Sequence, residues 1–446
     1  MLTMKKMTLM GAAGALWGLS ALLLSPTAHG ATYSDAGSAV LVWSKIVVDT
    51  SRDTVVTITN QANAQTSAHC FYVNANNRCS NTGLPCEAST PDCFDEASGF
   101  TGSCVGGWIE VNFDVVLTPQ QPVAWSAATG LSGANVPCPG GLMGGACPRI
   151  CKGGINNGFP CNINAQCPGG SCSLASNAGT RVPPVGETPF VGELKCIQTD
   201  PITRLPEPCS TLDCADDPVN CCRADLEGSA IITTVSGIDG EIDTQSYNAV
   251  GLRPTGFNNG DRTLIIGGPP FPDPDGNCIA DPNAATRCEY QPCAEVLVFN
   301  HLFDDAVDPI SGFYTAHSEL SLVPCTQDFL IQRIPQVTAQ FLVYNEFEQR
   351  FSTSRPINCL LNAPISNIDT IQSDRSIWNA GVSGTVAGQT RITGVGGGLI
   401  GAATLSFCAP ESAGGCDMST VVQPAGAGYN LNQFADRTLS DFIRIP

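Results

Sequence analysis

The chain has 446 residues, 43% hydrophobic and 14% charged, with 46 glycines, 32 prolines and 23 cysteines. That much apolar material supports packed cores and excludes a disordered chain. A net charge of −19 repels polyanions, so nucleic acid is not expected as a partner.

The N-terminus reads as an export signal. Lys5 and Lys6 precede a mostly apolar stretch from Met7 to Leu24, and the small residues Ala28 and Gly30 place cleavage after Gly30. Residues 1–30 are thus expected to be a signal peptide, and no transmembrane segment is expected after its cleavage. The expected location is secreted or at the cell surface, with the periplasm as the other compartment open to an exported chain. Without Lys5 and Lys6 the remaining 19 basic and 40 acidic side chains leave a charge of −21.

Few segments downstream carry helical periodicity, whereas short β-branched runs bounded by turn residues are common. Val40–Trp43 and Ile46–Val48 open the series. Asp53–Asn60 alternates Thr with apolar residues, as a half-buried strand does. Ala68–Val73, Trp108–Leu117, Pro122–Trp125, Phe190–Cys196 and Gly228–Val235 follow. The second half continues with Ala294–Asn300, Glu319–Val323, Val337–Asn345, Gly384–Thr393 and Leu399–Phe407.

These elements predict an all-β protein of two Ig-like antiparallel β-sandwich domains with disulfide-rich loop insertions. The first domain is expected over residues 31–268 and the second over 269–446. The insertions are expected at about 76–105, 136–175 and 198–224, where the cysteines cluster between strands.

Cys79, Cys86, Cys93 and Cys104 form the first cluster, and Cys151, Cys161, Cys167 and Cys172 the second. Cys209, Cys214, Cys221 and Cys222 form the third, and Cys408 and Cys416 are further disulfide candidates. A loop this short has no core of its own, so covalent staples would have to hold it. Spacing leaves the pairing inside each cluster open. The odd total implies a cysteine outside any intramolecular bond, and the adjacent Cys221 and Cys222 are expected to bond different partners.

Cys151-Lys152-Gly153-Gly154-Ile155-Asn156-Asn157-Gly158-Phe159-Pro160-Cys161, followed by Cys167-Pro168-Gly169-Gly170-Ser171-Cys172, resembles a C-x-G-G-x-N-x-G-x-P-C repeat. That repeat recurs in uncharacterised secreted, cysteine-rich bacterial proteins. The resemblance covers this unit and part of the Cys79 unit, and it implies export and disulfides.

Close C-x-x-C pairs are missing, which argues against zinc. Asp273, Asp275 and Asn277 place oxygen side chains at alternate positions and are the calcium candidates, although Cys278 stands where an EF-hand has Gly. No other cofactor is expected. Asp213, Asp216 and Asp217, and Asp304, Asp305 and Asp308, form two more acidic knots of the kind turns use. Downstream of the leader the histidines are His69, His301 and His317, with neither G-x-S-x-G nor H-E-x-x-H, so no catalytic residue is assigned. The expectation is a non-enzymatic extracellular structural, adhesive or binding protein whose partner is an extracellular protein or a glycan. The alternative is a secreted carbohydrate-binding or calcium-dependent protein, with glycan hydrolysis as its enzymatic form.

Overall fold

The computed structural model describes residues 37–446 apart from 75–76, 84–85, 87–92, 96, 106, 132–148, 153–159, 162, 175–181, 218, 236–241, 268–288 and 410–425. The expected signal peptide lies outside the described residues, as do Asp273, Asp275, Asn277 and Cys416.

Five principal sheets carry the fold. Sheet I runs Val250–Leu252, Val40–Val48, Phe190–Gln198, Thr66–Asn74, Ile109–Leu117 in spatial order. Sheet II runs Ile242–Asn248, Leu226–Val235, Arg52–Asn60, Pro122–Ser126. Sheet III is short, with Thr263–Ile266, Asp441–Arg444 and Gln327–Asp328. Sheet IV runs Arg350–Asn358, Gln336–Asn345, Ala387–Val395, Ala294–Leu302, Asn432–Asp436. Sheet V runs Leu361–Pro364, Thr315–Pro324, Leu399–Cys408, Ala427–Asn430. The long ladders are antiparallel, and Gln327–Asp328 joins Asp441–Arg444 in parallel.

The expected pair of Ig-like sandwiches is corrected by this arrangement. The protein is all-β, but its five sheets are disposed like the blades of a five-bladed β-propeller. Burial supplies the physical reason. A strand in a two-layer sandwich alternates between core and solvent, yet every residue of Val40–Val48 and of Thr66–Asn74 is buried. Sheet I is therefore covered on both faces. Sheets II and IV each keep one hairpin, Leu226–Val235 with Ile242–Asn248 and Gln336–Asn345 with Arg350–Asn358, but most other neighbouring strands are distant in sequence.

Three cores lie between the sheets. Sheets I and II enclose Trp43, Tyr72, Phe113, Trp125 and Phe190, with Trp125 Nε1 donating to Tyr72 Oη at 2.6 Å. The other face of sheet I contributes Val40, Phe71 and Ile197 to a second core with Leu264, Phe329, Ile400 and Ile443. Phe71 and Phe329 stack there with ring centroids 4.1 Å apart. Sheets IV and V enclose Phe299, Phe341, Ile392 and Trp378. Gly228 is required by the first core, because a Cβ there would sit 2.2 Å from Trp43 Cζ2.

The strand read as two runs around residue 44 is one strand with a register shift between Trp43 and Ile46. Arg350–Asn358, which lies between the expected strands Val337–Asn345 and Gly384–Thr393, is an edge strand. Small satellites extend from the sheets at the cysteine clusters. Arg78–Cys79 pairs with Cys104–Val105, Phe94–Asp95 with Phe100–Thr101, and Arg149–Lys152 with both Pro160–Cys161 and Ser171–Leu174.

Candidate functional site

The cysteine-rich loops are stapled locally. Cys79 bonds Cys93 and Cys86 bonds Cys104, while Cys151 bonds Cys167 and Cys161 bonds Cys172. Both loops therefore share a first-to-third, second-to-fourth pairing. In the third cluster Cys209 bonds Cys222 and Cys214 bonds Cys221. Cys408 is disulfide-bonded as well. Two further bonds tie the sheets: Cys70 to Cys196 between neighbouring strands of sheet I, and Cys293 to Cys325 beside Asp441. The sulfurs of Cys79, Cys86 and Cys93, of Cys151, Cys161 and Cys167, and of Cys293 and Cys325 beside Asp441 stand close enough together to suggest metal sites, but a sulfur held in a disulfide offers no thiolate to a metal.

The acidic knots organise turns. Asp213 Oδ1 accepts from the backbone of Ala215 and Asp216, Asp217 from Asn220, and Asp308 from Ile310 and Ser311. Asp304 is buried and accepts from the Ser318 and Ser366 amides at 2.8 and 3.2 Å. His301 is buried too, and burial lowers it to about 4, so it is neutral at physiological pH. Its ring bonds Thr390 Oγ1 at 2.9 Å, the same hydroxyl that receives Trp378 Nε1. The His301 ring is a fixture of the core there. Trp43, Trp125 and Trp378 are likewise buried in the cores, and Trp108 is half-buried.

Two lysines of sheet I reach into the C-terminal half. Lys45 Nζ donates to Glu319 Oε2 at 2.6 Å and to Thr404 Oγ1 at 2.7 Å. Burial alone would raise the Glu319 carboxyl, but the charge and hydrogen bond of Lys45, with help from Arg52 and Asn362, hold it below the ordinary carboxylate range. Burial pushes Lys45 down from its usual value against the pull of Glu319. Lys195, fully buried, donates to Pro324 O at 3.0 Å and to Gln327 Oε1, and stands 3.1 Å from Glu193 Oε2. Burial drives the Glu193 carboxyl above its ordinary value, with Lys195 opposing. Gln327 Nε2 donates to Cys359 Sγ at 3.5 Å.

A cleft of about 710 Å³ lies between sheet II and the strands at the sheet IV and V edges. Ser229, Ser246 and Asn248 line one wall, and Tyr429, Asn430 and Asn432 the other. The cleft sits where Ile242–Asn248 meets Ala427–Asn430, and Gln245 Nε2 bridges to Ser406 Oγ at 2.9 Å beside it. Asn430 Oδ1 is buried with no hydrogen-bond partner among the described residues. An acceptor left in that state costs about 1–3 kcal/mol and is satisfied when a donor arrives. Tyr429, raised by burial to about 12, keeps its hydroxyl protonated. No lining residue is Asp, Glu, His, Lys, Arg or Cys.

Sequence reading did not single out this wall. Ile242–Asn248 and Ala427–Asn430 are short and polar, so the periodicity that marks half-buried strands is faint in them. Nor does any local pattern announce the lysine contacts, which join residues more than a hundred positions apart. Comparison with known proteins finds no match: no family model fits the chain, and neither a curated protein nor a solved structure is similar to it.

Proposed function

We propose that the protein is a non-enzymatic extracellular binding protein, and that the cleft between sheets II and V takes an uncharged, hydroxyl-rich ligand of the glycan class. The observation that carries this reading is the chemistry of the lining. Hydroxyls, carboxamides and one half-exposed tyrosine ring offer donors, acceptors and a stacking face, as binding of a neutral polyol requires. General acid–base catalysis needs a group that titrates near the working pH, and the lining holds none. The many disulfides, and the lack among the described residues of a helix long and apolar enough to cross a membrane, are consistent with an extracellular protein. Export through the signal peptide is part of the same proposal.

The test is binding of the oxidised protein to an array of neutral oligosaccharides, followed by titration calorimetry on any hit. Saturable binding should weaken at least about tenfold, or ~1.4 kcal/mol, in Tyr429→Ala and in Asn430→Ala. Binding that survives both changes, or an array without hits, removes the cleft as the ligand site.

A further inference from the structure

Sheets I and III meet at a point where an amine, a carboxyl group and a side-chain amide are all withdrawn from water. Glu193, Lys195 and Gln327 are each fully buried. Lys195 Nζ is hydrogen-bonded to Gln327 Oε1, one bond away from the amide carbon, and 3.1 Å from Glu193 Oε2. Glu193 Oε2 thus faces the lysine amine directly, and Cys359 Sγ lies 4.0 Å from the other carboxyl oxygen, Glu193 Oε1. Lys45 provides the contrast: its Nζ bonds a carboxylate and a hydroxyl, where Lys195 touches an amide carbonyl.

We propose that Lys195 and Gln327 become joined by an amide cross-link that forms without an enzyme, Glu193 carrying the proton. Lys195 Nζ passes one proton to Glu193, and the neutral amine attacks Gln327 Cδ. As the Nζ–Cδ bond forms, Glu193 gives its first proton to Nε2 and takes the second proton from Nζ, so the Cδ–Nε2 bond breaks and Glu193 is left protonated. Ammonia departs, every atom is accounted for, and no oxidant or reductant takes part. Three features of the site favour the step. Fixed placement makes a bimolecular reaction intramolecular. The dry surroundings exclude water as a competing nucleophile. Burial lifts the carboxyl towards a range where it exchanges a proton with its neighbours. The product would bind Phe190–Gln198 covalently to Gln327–Asp328, and so the first half of the chain to the second.

Mass spectrometry of the intact, oxidised wild-type protein tests this directly. The expected mass is one ammonia below that of the disulfide-bonded chain, with a proteolytic fragment in which the Lys195 and Gln327 peptides are joined. In Glu193→Gln the ammonia should be retained and the two peptides recovered apart. A wild-type chain at full mass overturns the proposal. So does a fragment joining Gln327 to Cys359, whose sulfur lies beside the same amide. A Glu193→Gln protein that is still cross-linked overturns the proton-carrying role of Glu193. The wild-type measurement decides the matter even where a variant fails to fold.

Discussion

The cysteine-rich loops and the sheets they interrupt are held by different physics. Around residues 149–174 the buried apolar cluster among the described residues consists of Cys151, Cys161, Cys167 and Cys172, so the two disulfides form the interior there. In the neighbouring Cys79 loop Phe94 and Phe100 are 56% and 73% exposed, where a loop with a core would bury them. Sheets I and II bury Trp43, Tyr72, Trp125 and Phe190 between them, a large apolar core in which the Cys70–Cys196 bond is one element among many. The contrast shows that the order of the loops depends on oxidation, while the order of the sheets depends on burial. It also explains how a chain can be rich in cysteine and still possess large cores.

The sharpest way to break that contrast is to attack the core. Trp43→Ala removes a fully buried indole between sheets I and II and should cost about 3–5 kcal/mol, read as a lower denaturant midpoint for the whole protein. If only one loop responded, the sheets would not be the burial-held element.

A somewhat smaller loss, about 3 kcal/mol, is expected from Glu319→Ala, which leaves the buried Lys45 charge without its carboxylate. The same contact has a pH signature. Glu319 is held below its unfolded value, so its contribution is complete above the ordinary carboxylate range and is lost as pH falls through the folded value. Acid titration followed by tryptophan fluorescence should therefore show less loss of stability in Glu319→Ala than in wild type. Equal acid sensitivity in the two proteins would show that the contact carries no charge-dependent stability.

The smallest global effect should come from the loop. Replacing Cys161 and Cys172 together by Ser should leave the main unfolding transition nearly in place while opening residues 149–174 to protease. In the chain-entropy picture a bridge of this span is worth about 3 kcal/mol to the segment it closes, not to the molecule. A large fall in the main transition would mean that the loop supports the sheets.

Much of the strand content was legible locally. Arg52–Asn60 shows the alternating burial that its Thr and apolar residues foretell, and Gln336–Asn345 behaves alike. Arg350–Asn358 was not legible, because as an edge strand it keeps most of its side chains at least partly exposed and its residues are mainly polar. Asp441–Arg444 was invisible for another reason. Its partner Thr263–Ile266 lies far back in the sequence, and four residues carry too little periodicity to signal a ladder. The cleft and the lysine contacts share that origin, since each brings together segments more than a hundred residues apart in sequence.

By itself, then, the sequence determined the all-β character, the acidic charge and the clustering of cysteines into loops. Each of these is set by local composition: β-branched alternation, turn residues, and half-cystines a few positions apart. Tertiary structure alone decided that sheet I is covered on both faces, that the five sheets stand in a propeller-like arrangement instead of two sandwiches, and that Lys195 meets Gln327. Those outcomes depend on which apolar faces bury each other, and a face carries no mark in the sequence of the partner that will cover it.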